Sequence, residues 1–128
     1  MKKTNLKKLS TKYKFFLFDQ WGVLHDGNKI FKHTNKTLRF LKKKELILIS
    51  NTSQTLEEFK AQTLKKIKLN YKYFNKIITA GEKLLHIVLN SGRSPISKII
   101  SKKKAFLISN NTEKELVKKL KIKKTSYF

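Results

Sequence analysis

The stretch FFLFDQWGVLHDG, residues 15–27, decides how the rest of the chain is read. Four apolar residues run into a carboxylate, Asp19, and a glycine-punctuated turn follows at once. A short continuous apolar run bounded by turn residues is the pattern of a strand covered on both faces. An ionised carboxylate beside such a strand is costly unless something pairs with it. Asp19 is therefore either a turn carboxylate or a working group aimed into a cleft.

Working outward, Leu38 and Leu41 recur at helical spacing between Thr34 and Lys44, with lysines on the other side. ELILIS (45–50) reads as a second buried strand. Thr55-Leu56-Glu57-Glu58 fits a capping box and predicts a helix to about Lys68, with Leu56 and Phe59 on one face. KIIT (76–79) is a third short strand, and a helix follows from Gly81 to about Asn90, with Leu84, Leu85 and Val88 on its apolar side. SGRSP (91–95) holds the single proline and marks the best boundary. Beyond it, KAFLIS (104–109) reads as a strand, and a capped helix runs from Thr112 to about Leu120. Strands alternating with helices imply an α/β fold, a parallel sheet with helical crossovers.

The composition narrows the function. The 128 residues suffice for one domain with a modest core, and the net charge is +23. Such a charge attracts nucleic acid or anionic membrane surfaces. Here, however, the excess is almost wholly lysine spread from Lys2 to Lys124, and Arg39 and Arg93 are the only arginines. Arginine is the residue suited to bidentate contacts with phosphate and guanine, so the lysines read as decoration of solvated faces. NYKYFNK (70–76) is the one basic-aromatic stretch, and it is expected to pack beside a strand. There are no cysteines, so disulfides, thiolate zinc sites and a cysteine nucleophile are excluded. His25, His33 and His86 are too scattered to suggest a metal cluster. The basic N-terminus lacks an apolar stretch of signal length, and FFLF is too short to span a bilayer. No membrane association and a cytoplasmic location are the expectation.

In an open parallel sheet, ligands gather outside the carboxyl ends of the strands. Asp19 follows the first strand and Ser50-Asn51 end the second, so neighbouring strands would bring Asp19 and Ser50 to one edge. A carboxylate beside a hydroxyl and backbone N–H groups suits a phosphate and a divalent cation. The carboxylate can attack phosphorus, and a cation can screen its repulsion from the phosphate oxygens.

FFLFDQWGVLHDG followed by LILISNTSQT resembles the haloacid dehalogenase (HAD) superfamily, in particular its class IIA, sugar-phosphatase-like branch. The similarity runs in order over residues 13 to 120. It implies a HAD-like Rossmannoid parallel sheet, with Asp19 as the phosphorylated nucleophile and a magnesium ligand. It also implies that Ser50 and Asn51 hold the transferring phosphoryl group with Gly22, that the Trp21 carbonyl joins the Mg2+ shell, and that GVLHDG is the flap turn. A small phosphorylated substrate is the implied ligand.

The sequence departs from the family pattern twice. The second aspartate, two residues after the nucleophile, is general acid and base in the family; Trp21 stands there and cannot exchange a proton. Asp26 is a candidate substitute, and His25 reads as a polar flap residue. The family's third-motif lysine and fourth-motif acidic pair follow an inserted cap, and neither is recognisable here. The expectation is a truncated form: residues 1–94 as the N-terminal part of the core domain and 95–128 as the beginning of an incomplete cap. The leading function is phosphate monoester hydrolysis through an aspartyl-phosphate, inactive or slow alone, with a complementary C-terminal half as possible partner. The alternatives are a non-catalytic remnant that binds phosphate ligands and a basic nucleic-acid-binding protein, no specific nucleic acid being expected.

Overall fold

The structure, a computed structural model, describes residues 5–90, 95–101, 104–105, 114–120 and 123–124. These fall into two compact units: one of residues 1–50 and 60–78, the other of residues 51–59 and 79–128.

The first unit opens with helix α1 (Leu6–Lys12), capped where the Asn5 side chain accepts from the Lys7 N–H. Strand β1 (Phe15–Asp19) follows, then a flap, helix α2 (Thr34–Phe40) and strand β2 (Glu45–Ser50). Strand β3 (Lys76–Thr79) completes a three-stranded parallel sheet of order β1-β2-β3. β1 and β2 run parallel from Phe15↔Glu45 to Asp19↔Ile49. A parallel pair needs a crossover, and the segment holding α2 supplies it.

Burial along β2 alternates: Leu46, Leu48 and Ser50 are buried on one face. Leu38 and Leu41 of the α2 segment are buried too, at the spacing that gives one helix face. The strand β1 is not covered on both faces as its continuous apolar run predicts. Phe15 and Leu17 are 66% and 65% exposed, while Phe16 and Phe18 are half-buried. The alternation along the strand means that one face of β1 receives packing and the other does not; in the sheet order β1 stands at the edge among the described residues. Phe18 meets the buried Phe74 edge to face at 5.9 Å. The basic-aromatic stretch thus packs beside the sheet, its Asn75 side chain accepting from the Leu46 N–H at 2.8 Å.

The helix predicted from Thr55 to Lys68 forms in a different register. Helix α3 (Leu56–Glu58) passes directly into a π-helical turn (Phe59–Leu64), in which the Lys65 N–H reaches the Lys60 carbonyl at 3.1 Å. Lys68 then takes a left-handed φ of +58°, and the Leu69 N–H returns to the Leu64 carbonyl at 3.0 Å. This satisfies a terminal carbonyl as helix C-caps do, with lysine in glycine's usual place.

In the second unit the capping box is present: Thr55 accepts from the Glu58 N–H, and the Glu58 carboxylate accepts from the Thr55 N–H at 2.8 Å. The Glu82 carboxylate, in the first turn of helix α4 (Ala80–Asn90), accepts from the Leu56 N–H at 2.9 Å. Gly81 lies so close to the Ser53 carbonyl that a Cβ has no room. Helices α5 (Pro95–Ser101) and α6 (Lys114–Lys119) follow, with a small parallel pair, β4 (Lys104–Ala105) and β5 (Lys123–Lys124). Leu85, Leu116 and Leu120 form this unit's cluster with Leu84 and Val88. The strand predicted beyond residue 105 and the boundary at 91–94 lie outside the described residues. No described helix is long and apolar enough to cross a membrane.

Candidate active site

Asp19 and Ser50 stand at the carboxyl ends of adjacent parallel strands, because Asp19 is in register with Ile49 and Ser50 is the next residue. The two-residue period of a strand sorts their side chains. Asp19 continues the exposed row of Phe15 and Leu17, whereas Ser50 continues the buried row of Leu46 and Leu48. Ser50 is 3% exposed, and its Oγ accepts from Gln20 Nε2 at 2.8 Å. Asn51, next in the chain, is exposed and belongs to the second unit.

The chain leaves β1 into a tight flap. The Leu24 N–H donates to the Gln20 carbonyl at 2.8 Å, and the Gly22 N–H donates to the His25 carbonyl at 2.9 Å. Gly22 holds φ +74°, a conformation glycine adopts without a side-chain clash. The N–H of Gly22, a residue the family resemblance implies for phosphate binding, is thus engaged inside the flap turn. The return limb is fastened where Thr34 Oγ1 donates to the Leu24 carbonyl at 2.9 Å.

Trp21, at the position of the family's second aspartate, packs its ring against Gly27. Gly27 has φ +98°, and a Cβ there would collide with the indole. The ring also meets His25 edge to face at 5.6 Å. Asp26, the candidate substitute acid, is exposed and accepts from the Asn28 and Lys29 N–H groups, both at 2.9 Å. Those backbone bonds hold its carboxyl below the usual aspartate range, the opposite of what a proton donor near neutrality needs.

Gln20 carries no signal in the sequence for its place here, and His25 reads there only as a polar flap residue. His25 is only 1% exposed. Its Nδ1 accepts from the Gly27 N–H at 2.9 Å, and its Nε2 lies 3.0 Å from Gln20 Oε1. Burial pushes its pKa below the ordinary imidazole value, opposed by the nearby carboxylates of Asp26 and Asp19. The available signal was the His-x-Gly spacing, which lets a ring nitrogen reach the glycine N–H in a turn.

Among the described residues no group of three or more His, Cys, Asp or Glu side chains could hold a metal ion. Magnesium often binds through one or two carboxylates together with substrate phosphate and water. At this sheet edge the described residues offer the Asp19 carboxylate, which does not make a complete site.

A family profile for haloacid dehalogenase-like hydrolases matches residues 16–123. Among solved structures, a haloacid dehalogenase-like family hydrolase from Brucella suis 1330 superposes with a TM-score of 0.72 at 18% identity. That match covers 98% of this chain and 45% of the Brucella chain, so this sequence spans less than half of that protein's length. No curated protein matches the sequence. With strand-borne Asp19 and Ser50 in parallel register and a profile match along most of its length, the chain belongs to the haloacid dehalogenase-like hydrolase family.

Proposed function

We propose that the chain carries the phosphoryl-transfer half of a class IIA HAD phosphohydrolase. An Asp19 carboxylate oxygen attacks phosphorus, and the bond to the leaving oxygen breaks, giving an aspartyl-phosphate that water then hydrolyses. Ser50 and Asn51 hold the phosphoryl oxygens, and Gly22 shapes the flap turn. The Asp19 carboxylate and the Trp21 carbonyl are the proposed contributions to a Mg2+ shell, which would screen the negative charge when filled by further ligands. The substrate class is a small phosphate monoester. The observation that supports this reading is the placement of Asp19 and Ser50 at the carboxyl ends of adjacent parallel strands.

Trp21 limits the chemistry. The leaving oxygen needs a proton unless it is already a weak base, and an indole does not supply one. A second reading, a phosphate-binding protein that does not turn over, draws on the same observation: the position is given to packing against Gly27. The exposed row on β1 supports a further proposal, that the complementary half of the fold covers Phe15 and Leu17.

The test is incubation with acetyl phosphate and Mg2+, followed by rapid quenching and peptide mass spectrometry. Phosphate on Asp19 that is absent in Asp19→Asn supports the hydrolase reading. Inorganic phosphate binding without any labelling of Asp19 favours the non-catalytic one.

A further inference from the structure

We infer that Arg39, Lys60, Tyr71, Lys72 and Tyr73 form a binding surface for single-stranded nucleic acid, held by charge and base stacking without regard to sequence. The inference goes beyond the hydrolase reading and uses none of the residues named there.

Lysines spread along a chain do not mark a site, but the fold gathers a few basic residues around one turn. The stretch Asn70–Lys76 divides between inside and outside. Phe74 is buried, and the Asn75 side chain accepts from the Leu46 N–H of β2, which anchors the segment to the sheet. The preceding turn, Tyr71–Tyr73, keeps both tyrosines half-buried with Lys72 exposed between them. Two other segments of the same unit bring a cation to each ring. Lys60, in the π-helical turn, places its ammonium 5.8 Å from the Tyr71 ring centroid, within the range of a cation–π attraction. Arg39, in the last turn of α2, donates from Nε to Tyr73 Oη at 3.4 Å.

These cations lack counter-charges. The carboxylate side chains of this unit are Asp19, Asp26 and Glu45, and among the described residues none of them forms an ion pair with a lysine or arginine. The Lys119–Glu57 pair, at 3.1 Å, belongs to the other unit. Exposed cations left unpaired repel one another, and a polyanion relieves that repulsion while releasing its own condensed counterions. The Tyr73 hydroxyl takes the Nε–H of Arg39, so the two terminal NH2 groups keep the paired geometry that a phosphate accepts. The rings select the form of the strand. A duplex hides its base faces in its own stack, whereas an unpaired base offers one to an aromatic side chain. An anionic bilayer supplies the charge but no flat ring to stack.

Fluorescence anisotropy of the full chain at low salt tests this, with short labelled oligothymidylate and oligouridylate titrated in parallel, the tighter of the two naming the strand. Tyr71→Leu, which fills the space without a π-face, should weaken binding about 5- to 150-fold. The same variant should bind inorganic polyphosphate, which has no bases, as wild type does, and Tyr71→Phe should keep wild-type affinity for the oligonucleotides. Arg39→Gln should weaken both ligands and lower the salt dependence by about one phosphate contact. Lys7→Gln, which removes the same charge from the exposed face of α1, should cost less than Arg39→Gln. Equal losses in Lys7→Gln and Arg39→Gln would mean that net charge alone binds, and would overturn the surface. Parallel losses for oligonucleotide and polyphosphate in Tyr71→Leu would overturn the stacking role. Duplex bound as tightly as single strand, no binding at low salt, or phosphatidylserine vesicles bound through Arg39 and Tyr71 in place of the oligonucleotides would each overturn the inference.

Discussion

Replacing Gly27 by alanine probes the flap, because two separable costs meet at that position. The backbone holds φ +98°, where a Cβ is strained, and left-handed conformations cost non-glycine residues roughly 1–2 kcal/mol. The new methyl would also collide with the far edge of the Trp21 indole. That ring is 65% exposed, so it can swing outward and avoid the collision. Swinging sacrifices its edge-to-face contact with His25, a kind of pair worth about 0.5–1.5 kcal/mol. The total expected for Gly27→Ala is about 1.5–3.5 kcal/mol. In a Trp21→Ala background the ring is already absent, so only the backbone cost of about 1–2 kcal/mol remains. Urea denaturation followed by far-ultraviolet circular dichroism, across wild type, both single variants and the double variant, measures the difference. The cycle should return a coupling of about 0.5–1.5 kcal/mol. Trp21 is the single tryptophan, so its fluorescence anisotropy should fall in Gly27→Ala as the ring is released. Equal cost in both backgrounds, with unchanged anisotropy, would refute the account of Trp21 as a brace.

Burial lowers the His25 pKa from 6.5, so the unfolded chain takes up that proton at higher pH than the folded one. The contribution of His25 to stability is then complete above pH 6.5 and is lost as pH falls below it. Denaturation midpoints compared between wild type and His25→Gln, above about pH 5 where carboxylates begin to titrate, should show a steeper decline in wild type. Leu48 is fully buried on β2, and Leu48→Ala should cost about 2–5 kcal/mol by urea denaturation, since the strand cannot collapse into the space. Because Trp21 supplies no proton, aryl or acyl phosphates should label Asp19 faster than alkyl phosphates in a competition read by mass spectrometry. Equal rates would show that another group protonates the leaving oxygen. Light scattering should show association as salt rises, because screening the +23 charge leaves the exposed Phe15–Leu17 row of an edge strand unopposed. A monomer indifferent to salt would mean that this edge is protected.

What the amino-acid sequence determined by itself was carried by local pattern. The run ending in Asp19, the run ending in Ser50 and the Thr55–Glu58 box are each specified by residues within a few positions of one another. Strands and caps form there because period and hydrogen-bonding reach are local properties. The glycines at 22 and 27 likewise mark a turn, and both take a positive φ. Tertiary structure decided what those patterns could not encode. An apolar run such as FFLF reads the same whether one face of its strand is covered or both, and only the packing in the folded chain leaves Phe15 and Leu17 exposed. The helix after Thr55 begins where the box predicts, yet its i, i+5 turn at 59–64 is invisible to a 3.6-residue period. The Gln20–Ser50 bond joins residues 30 positions apart, and it exists because parallel register sets the ends of β1 and β2 side by side. Gln20 and His25 are ordinary polar residues along the chain. Their roles arise when the flap folds back and burial makes each donor require a particular acceptor.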